Sequence, residues 1–461
     1  MSARSQASGR SPVAVVTTQD MEVGTKVENR FAQFKLDSGI DLYFKKTDKF
    51  KTDYMLMVVQ TELKEDTATA NALLPMVLGR GTRNCPSTVE FIKTLDDMYG
   101  AAFKADISKK GEVQMLVFGI EVPNARFLPE NNPLTGKAMG LLRDVVFDTA
   151  VDDEGLLRAD YVAQEKENLR HVIEGIIDDK QSYAMKRCIE AMCEDERFGV
   201  SKFGRLDQID QIDAKMLIQR YNEVASKSPI ALFVVGDLDE GSLLSHAREC
   251  FGFKRDVTPI TDTVDEWKSS VHEVKHVTDT MDVTQGKLVI GYRTNTTYED
   301  PDFPALLMMN GIFGGFTHSK LFQNVREKAS LAYYASSSVE YIKGIMTVSA
   351  GIDCSNEERV LKIVAEQLDE IRAGNITQTE MDFTFKGLRS SLLMADDSVS
   401  GGVDFVLCDL VSGKTRTSKE LIEQLSKVTP QDVVRVANRV QQDTVYFLSC
   451  ADGVGGGCDE E

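Results

Sequence analysis

The sequence predicts an α+β protein in which a mainly antiparallel sheet carries helices packed on one face, with this unit occurring twice. Three observations predict it. Apolar runs of strand length come in groups that alternate with groups of amphipathic helices, rather than in strict strand–helix–strand order. A capped helix leading into a short apolar strand occurs once from Asp213 and again, half a chain later, from Thr429. The length of 461 residues also exceeds what a single core usually accommodates, at about 100–200 residues per domain.

The repeat can be followed residue by residue. Residues 213–218 (DAKMLI) and 429–434 (TPQDVV) place their first apolar helical positions at the same offsets. Asp213 and Thr429 serve as N-caps, and Pro430 occupies the first helical position. Asn222 matches Asn438, and the apolar runs 230–235 and 445–448 follow as buried strands. Residues 168–171 (NLRH) likewise match 387–390 (GLRS) on long helices, each followed by an acid pair, Asp178/Asp179 and Asp396/Asp397. Two homologous halves of roughly 220 residues are the simplest account.

Each half opens with strands, at 32–36, 40–44 and 54–60 in the first and 287–292 in the second. Helices follow, then a hairpin. The first hairpin pairs 102–107 with 113–120 across Gly111, and the second pairs 332–341 with 345–350 across Gly344. The expected organisation is a disordered tail over 1–25, a first domain over 26–253, a polar linker rich in Asp, Thr and Val over 254–285, a second domain over 286–451, and a Gly-rich acidic tail over 452–461.

Composition narrows the function classes. Hydrophobic residues at 42% and charged residues at 27% suit a folded globular chain. A formal net charge of −19 leaves no basic stripe for phosphates and disfavours nucleic acid and anionic membrane surfaces. No apolar run approaches the ~18 residues needed to span a bilayer. The eight cysteines are scattered without a CxxC pair, which argues against a disulfide framework and for a reducing cytoplasm.

Residues 307–334, LMMNGIFGGFTHSKLFQNVREKASLAYY, are the most informative. Their helix, Gly pair, second helix and VREKxxLAY phrase resemble the second domain of the insulinase-type (M16, pitrilysin) metallopeptidases. The resemblance implies two LuxS/MPP-like metallohydrolase domains and covers nearly the whole chain. It also assigns Arg326 and Tyr333 to a pair that approaches a substrate carbonyl, where a guanidinium and a phenol can donate hydrogen bonds to a developing oxyanion.

In that family the first domain carries the zinc motif HxxEH on a helix. Matching Gly81-Thr82 to the end of the family's motif puts Ala72 and Met76 where the histidines belong and Pro75 where the general-base Glu belongs. Alanine has no donor atom, a thioether is a poor zinc ligand, and proline has no carboxylate. Glu174 is the match for the family's distal Glu ligand, with Glu167 seven residues earlier. Without histidines, these residual acids hold no catalytic zinc. The resemblance therefore implies no metal or cofactor on this chain, with zinc expected in a partner.

His272-Glu-Val-Lys-His276 spells the zincin signature HExxH, which requires a helix to set both imidazoles on one face. Its surroundings are short and β-branched. In an extended strand the two rings would stand about 13 Å apart, too far for one ion. A metallopeptidase using this motif is the least favoured reading.

The implied function is that of an inactive M16-type subunit from the bacterial YmfF-like branch, which is associated with 5-aminopentanol modification of elongation factor P. Such a subunit pairs in the cytoplasm with a zinc-bearing M16 homologue, binds the peptide substrate, and supplies Arg326 and Tyr333 in trans. The alternative is a non-enzymatic peptide-binding or scaffold protein, possibly homodimeric.

Overall fold

The computed structural model describes residues 31–129, 134–260 and 271–451. The tails expected at 1–25 and 452–461 lie outside the described residues, as does the middle of the expected linker.

The first half runs β1 (Ala32–Lys35), β2 (Ile40–Lys46), β3 (Thr52–Glu62), α1 (Glu65–Leu78), α2 (Thr88–Asp96), β4 (Ala102–Lys110), β5 (Val113–Pro123), α3 (Thr135–Phe147), α4 (Ala159–Gly175), α5 (Lys180–Met192), α6 (Leu206–Ile209), α7 (Ala214–Lys227), β6 (Ile230–Gly236) and α8 (Glu240–Phe251). The second runs β7 (Lys275–Met281), β8 (Gly286–Arg293), α9 (Phe303–Asn310), two π-helical turns (Gly311–Gly315 and Phe322–Lys328), β9 (Ala332–Glu340), β10 (Ile345–Ile352), α10 (Glu357–Arg372), α11 (Gln378–Asp396), α12 (Val399–Ser412), α13 (Ser418–Leu425), α14 (Pro430–Ala437) and β11 (Gln441–Cys450).

The strands form two sheets, ordered β1-β2-β6-β3-β5-β4 and β7-β11-β8-β10-β9. Apart from β1 the two orders are the same, and each contains one parallel pair, β2 with β6 and β11 with β7. The repeat is thus a repeat of topology. Both expected hairpins form, with Phe103 opposite Ile120 and Val339 opposite Met346. Gly111 and Gly344 take positive φ in their turns, a conformation that side chains disfavour. Asp213 caps α7 by accepting a hydrogen bond from the Met216 amide at 2.7 Å, and Thr429 forms a capping box with Asp432.

One expectation is corrected. The stretch 254–285 is not wholly a linker, because 275–281 form β7, the counterpart of β2 in the second sheet. Its polar composition follows from its place at a sheet edge. Alternate residues are exposed, and the inward Asp279 accepts hydrogen bonds from the Tyr446 hydroxyl at 2.8 Å and from Arg187 Nε at 3.1 Å. Cysteine chemistry also departs from expectation, since Cys354 and Cys450 form a disulfide that ties the turn after β10 to the end of β11. Cys85, Cys188, Cys193, Cys250 and Cys408 are free thiols.

Helices of the first half cover one face of the first sheet, where Met55, Met57 and Val59 of β3 meet Leu73, Leu74 and Leu142. The alternate residues Leu56 and Val58 point the other way, with Phe233 and Met115, into a core shared with Val403 and Val411 of α12. The exchange is mutual. From the first half, α5 lays Ala184 and Cys188 against Val289, Tyr446 and Leu448 on the outer face of the second sheet. A Cβ on Gly291 would meet the Met192 sulfur at 2.7 Å, so the glycine lets α5 approach.

A buried ionic seam joins the halves. Lys343 pairs with Glu112 and, at 2.9 Å, with Glu196. Arg293 reaches Glu196 at 2.6 Å and Asp443 at 3.0 Å, and Arg197 reaches Glu112 at 3.3 Å. Lys343, Glu112, Glu196, Arg293 and Asp443 are all buried. Charges removed from water persist only when paired in this way.

Candidate functional site

Ala72, Pro75 and Met76, the residues matched to the zinc motif from sequence, lie on α1. Glu65 and Asp66 complement the dipole at its N-terminus. Ala68, Ala72, Leu73, Leu74, Val77 and Leu78 bury the helix between the first sheet and α4. A polar clamp fixes its middle: Asn71 Nδ2 donates to Gln114 Oε1 at 2.8 Å and to Thr61 Oγ1 at 3.2 Å, and Asn71 Oδ1 accepts from Arg220 Nε at 2.7 Å. Ala72 is 1% exposed and Met76 half-buried. Pro75 sits inside the helix, where it has no N–H to donate to the Asn71 carbonyl. These three side chains offer no ligand set and no general base, so the site does not fit a zinc ion.

On α4 the structure leaves both acids expected from sequence in solvent. Glu167 and Glu174 are both exposed, and Glu167 lies 3.6 Å from Arg170. The acid that α4 buries is Glu165. Its Oε1 accepts from Arg80 Nη1 at 3.1 Å and its Oε2 from Asn168 Nδ2 at 2.9 Å. The Arg80 guanidinium also lies 5.0 Å from the centre of the Tyr161 ring. A helical signal for Glu165 was available, since Tyr161, Val162, Glu165 and Leu169 share the buried face. No such signal marks Arg80. Among the described residues no three of His, Cys, Asp and Glu are grouped as a metal-binding set. His276 lies in β7 opposite Val445 of β11, and His272 precedes the strand, so the HExxH letters are not helical.

The second-half residues are presented differently. Arg326 sits on the π-helical turn Phe322–Lys328, over the Phe322 ring at 4.7 Å and 3.8 Å from Glu327. Ser330, at φ +52°, then reverses the chain, and the Leu331 amide donates to the Val325 carbonyl at 3.1 Å, binding the turn to the start of β9. Within β9, Ala332 opposes Ile352 and Tyr334 opposes Gly351, which leaves Tyr333 as the extra residue of a β-bulge on an edge strand. Bulges re-aim side chains, and Tyr333 is 74% exposed. The structure thus sets Arg326 and Tyr333 at the two ends of one helix–strand corner.

Residues 211–388 match the family described as Peptidase M16 inactive domain. The probable inactive metalloprotease YmfF of Bacillus subtilis (strain 168) is 36% identical over 415 residues, covering 90% of this chain and 97% of that protein. The chain belongs to the peptidase M16 family. A conserved protein from Enterococcus faecalis V583, known from its crystal structure, shares the M16-like architecture with a TM-score of 0.84 at 29% identity, covering 92% of this chain and 99% of that one. The peptidase M16 inactive domain from Pseudomonas fluorescens gives a TM-score of 0.73 at 16% identity, covering 91% and 98%, a likeness of fold. The chain is an inactive M16 homologue. Among the described residues no helix is long and apolar enough to cross a membrane.

Proposed function

We propose that this chain is the substrate-binding, site-completing subunit of a heterodimeric zinc metallopeptidase. Zinc and the general base belong to an M16 partner. Arg326 and Tyr333 of this chain donate hydrogen bonds to the carbonyl of a bound peptide and to the oxyanion that forms there. The observation that carries the reading is the contrast between the halves. Helix α1 is buried and stripped of donors, whereas the bulge on β9 turns the Tyr333 hydroxyl outward beside the helix that bears Arg326.

The test is co-purification from cells that make both subunits, followed by peptide turnover. Arg326→Ala and Tyr333→Phe lower kcat/KM of the complex about 10²–10³-fold, the range for loss of an oxyanion donor, without lowering its yield. Unchanged turnover removes both residues from the reaction. Recovery of the chain without a zinc-bearing homologue moves the assignment to a peptide-binding scaffold.

A further inference from the structure

Helix α11 carries a solvent-facing surface that the reading above does not use. At 100° per residue, Phe383, Lys386, Arg389, Ser390, Leu393 and Met394 fall on one side, and all six are exposed. Phe383 is 49%, Leu393 40% and Met394 67% exposed. The surface extends sideways onto the loop before the second π-helical turn. There Phe316 packs against Gly387, and His318, bonded to Thr384 Oγ1 at 2.9 Å, meets the edge of Phe383.

Its charge is the reverse of the chain's. On that side Lys386 and Arg389 outnumber the one acid, Asp382, which accepts a hydrogen bond from Gln378 Nε2 at 2.8 Å, within a protein of net charge −19. Neither Lys386 nor Arg389 forms an ion pair with a described residue, and Lys386 lies over Phe383 at 5.9 Å. The scaffold does not demand this. Aligning 168–170 with 387–389 sets Gln164, Glu167 and Glu174 of α4 opposite Phe383, Lys386 and Leu393. The same side of the other half's helix therefore carries two acids with one cation, Arg170 opposite Arg389, and polar residues in place of Phe383 and Leu393. A second copy of the chain, itself at −19, is repelled overall, whereas an acidic segment with apolar side chains matches both features.

We infer that the exposed face of α11 docks an acidic peptide segment, its apolar side chains lying on Phe383, Leu393 and Met394 and its carboxylates meeting Lys386 and Arg389. This rests on the peptide-holding role proposed above and names the class of peptide. The experiment measures anisotropy of a short fluorescein-labelled peptide of Glu and Leu, and of the same peptide with Lys at each Glu, against the full chain alone. The Glu peptide binds, the Lys peptide does not, and raising salt weakens the complex. Lys386→Glu with Arg389→Glu weakens it about tenfold, and Met394→Ser weakens it as well. Equal binding of both peptides, binding of neither, or indifference to the charge reversal overturns the inference. So does sedimentation as a homodimer that Met394→Ser separates, which would mean that a second copy covers the face. No zinc subunit enters the measurement, so its failure is distinct from failure of the Arg326 test.

Discussion

Glu165 Oε1 lies 3.1 Å from Arg80 Nη1 beside the buried helix α1, so the carboxylate that α4 turns inward already has a counter-ion from its own half. The Glu165 side chain is 6% exposed and that of Arg80 29%.

Removing that guanidinium leaves an uncompensated buried charge. Arg80→Ala is expected to destabilise the protein by about 2–3 kcal/mol, below the full range for buried pairs because Arg80 is partly solvated. Glu165→Gln, which keeps the shape and removes the charge, costs less. Urea unfolding curves of the two variants give the order.

The same pair bears on building a zinc site on α1. With Ala72→His, Pro75→Glu and Met76→His combined, α1 gains two imidazoles, but Glu165, the acid that α4 buries beside it, stays bound to Arg80, and Glu174 is exposed. Stoichiometric zinc is expected only when Arg80→Ala is added. Metal analysis after dialysis decides, and tight zinc in the triple variant alone would show that Arg80 does not hold Glu165 back.

Acid should weaken the seam between the halves. Burial raises the Glu196 pKa, but hydrogen bonds donated by Arg293 and Lys343 outweigh it and hold the carboxyl below the ordinary Glu range. A folded pKa below the unfolded one adds stability that is present above the unfolded value and is lost as pH falls through the folded value. Stability should therefore drop below about pH 4, and Glu196→Gln should flatten that part of the profile. At neutral pH, Lys343→Met should cost about 3–5 kcal/mol, because it leaves Glu112 and Glu196 without one of their buried cations. Denaturant midpoints measured across pH test both statements.

The Cys354–Cys450 disulfide closes a loop spanning 96 residues. Chain entropy alone predicts about 3–5 kcal/mol of stabilisation from such a loop. Under non-reducing conditions Cys354→Ser should lose that amount against the wild type, and with a thiol reductant the difference should shrink to a few tenths of a kcal/mol. Equal midpoints without reductant would show that the bond contributes nothing.

Much of the fold was legible because its signals are local. Gly111 and Gly344 mark the hairpins, and Asp213 and Thr429 mark helix starts whose caps form as the residue types require. The strand β7 was hidden because at an edge its outward residues are polar and its inward Asp279 is satisfied by side chains from α5 and β11. That Ala72, Pro75 and Met76 offer no zinc ligand set and no general base could be read from residue type alone. The pairing of Arg80 with Glu165 could not, since it joins residues 85 apart in sequence through tertiary packing. Nor could the bulge at Tyr333, which depends on register with β10 rather than on the strand's own residues.

The crossing of α5 and α12 bears on ancestry. Each sheet has its second face sealed by a helix encoded in the opposite half, so a single half made alone would expose a hydrophobic sheet face to water and present a helix with nothing to cover. Two identical copies could satisfy each other by swapping those helices around a two-fold axis. The present chain has the form of such a dimer joined end to end. Joined in one chain, the two copies need not be identical, and α4 carries Glu167 and Glu174 where α11 carries Lys386 and Leu393. Separate expression of either half should accordingly yield aggregates, and mixing both halves should restore a soluble complex.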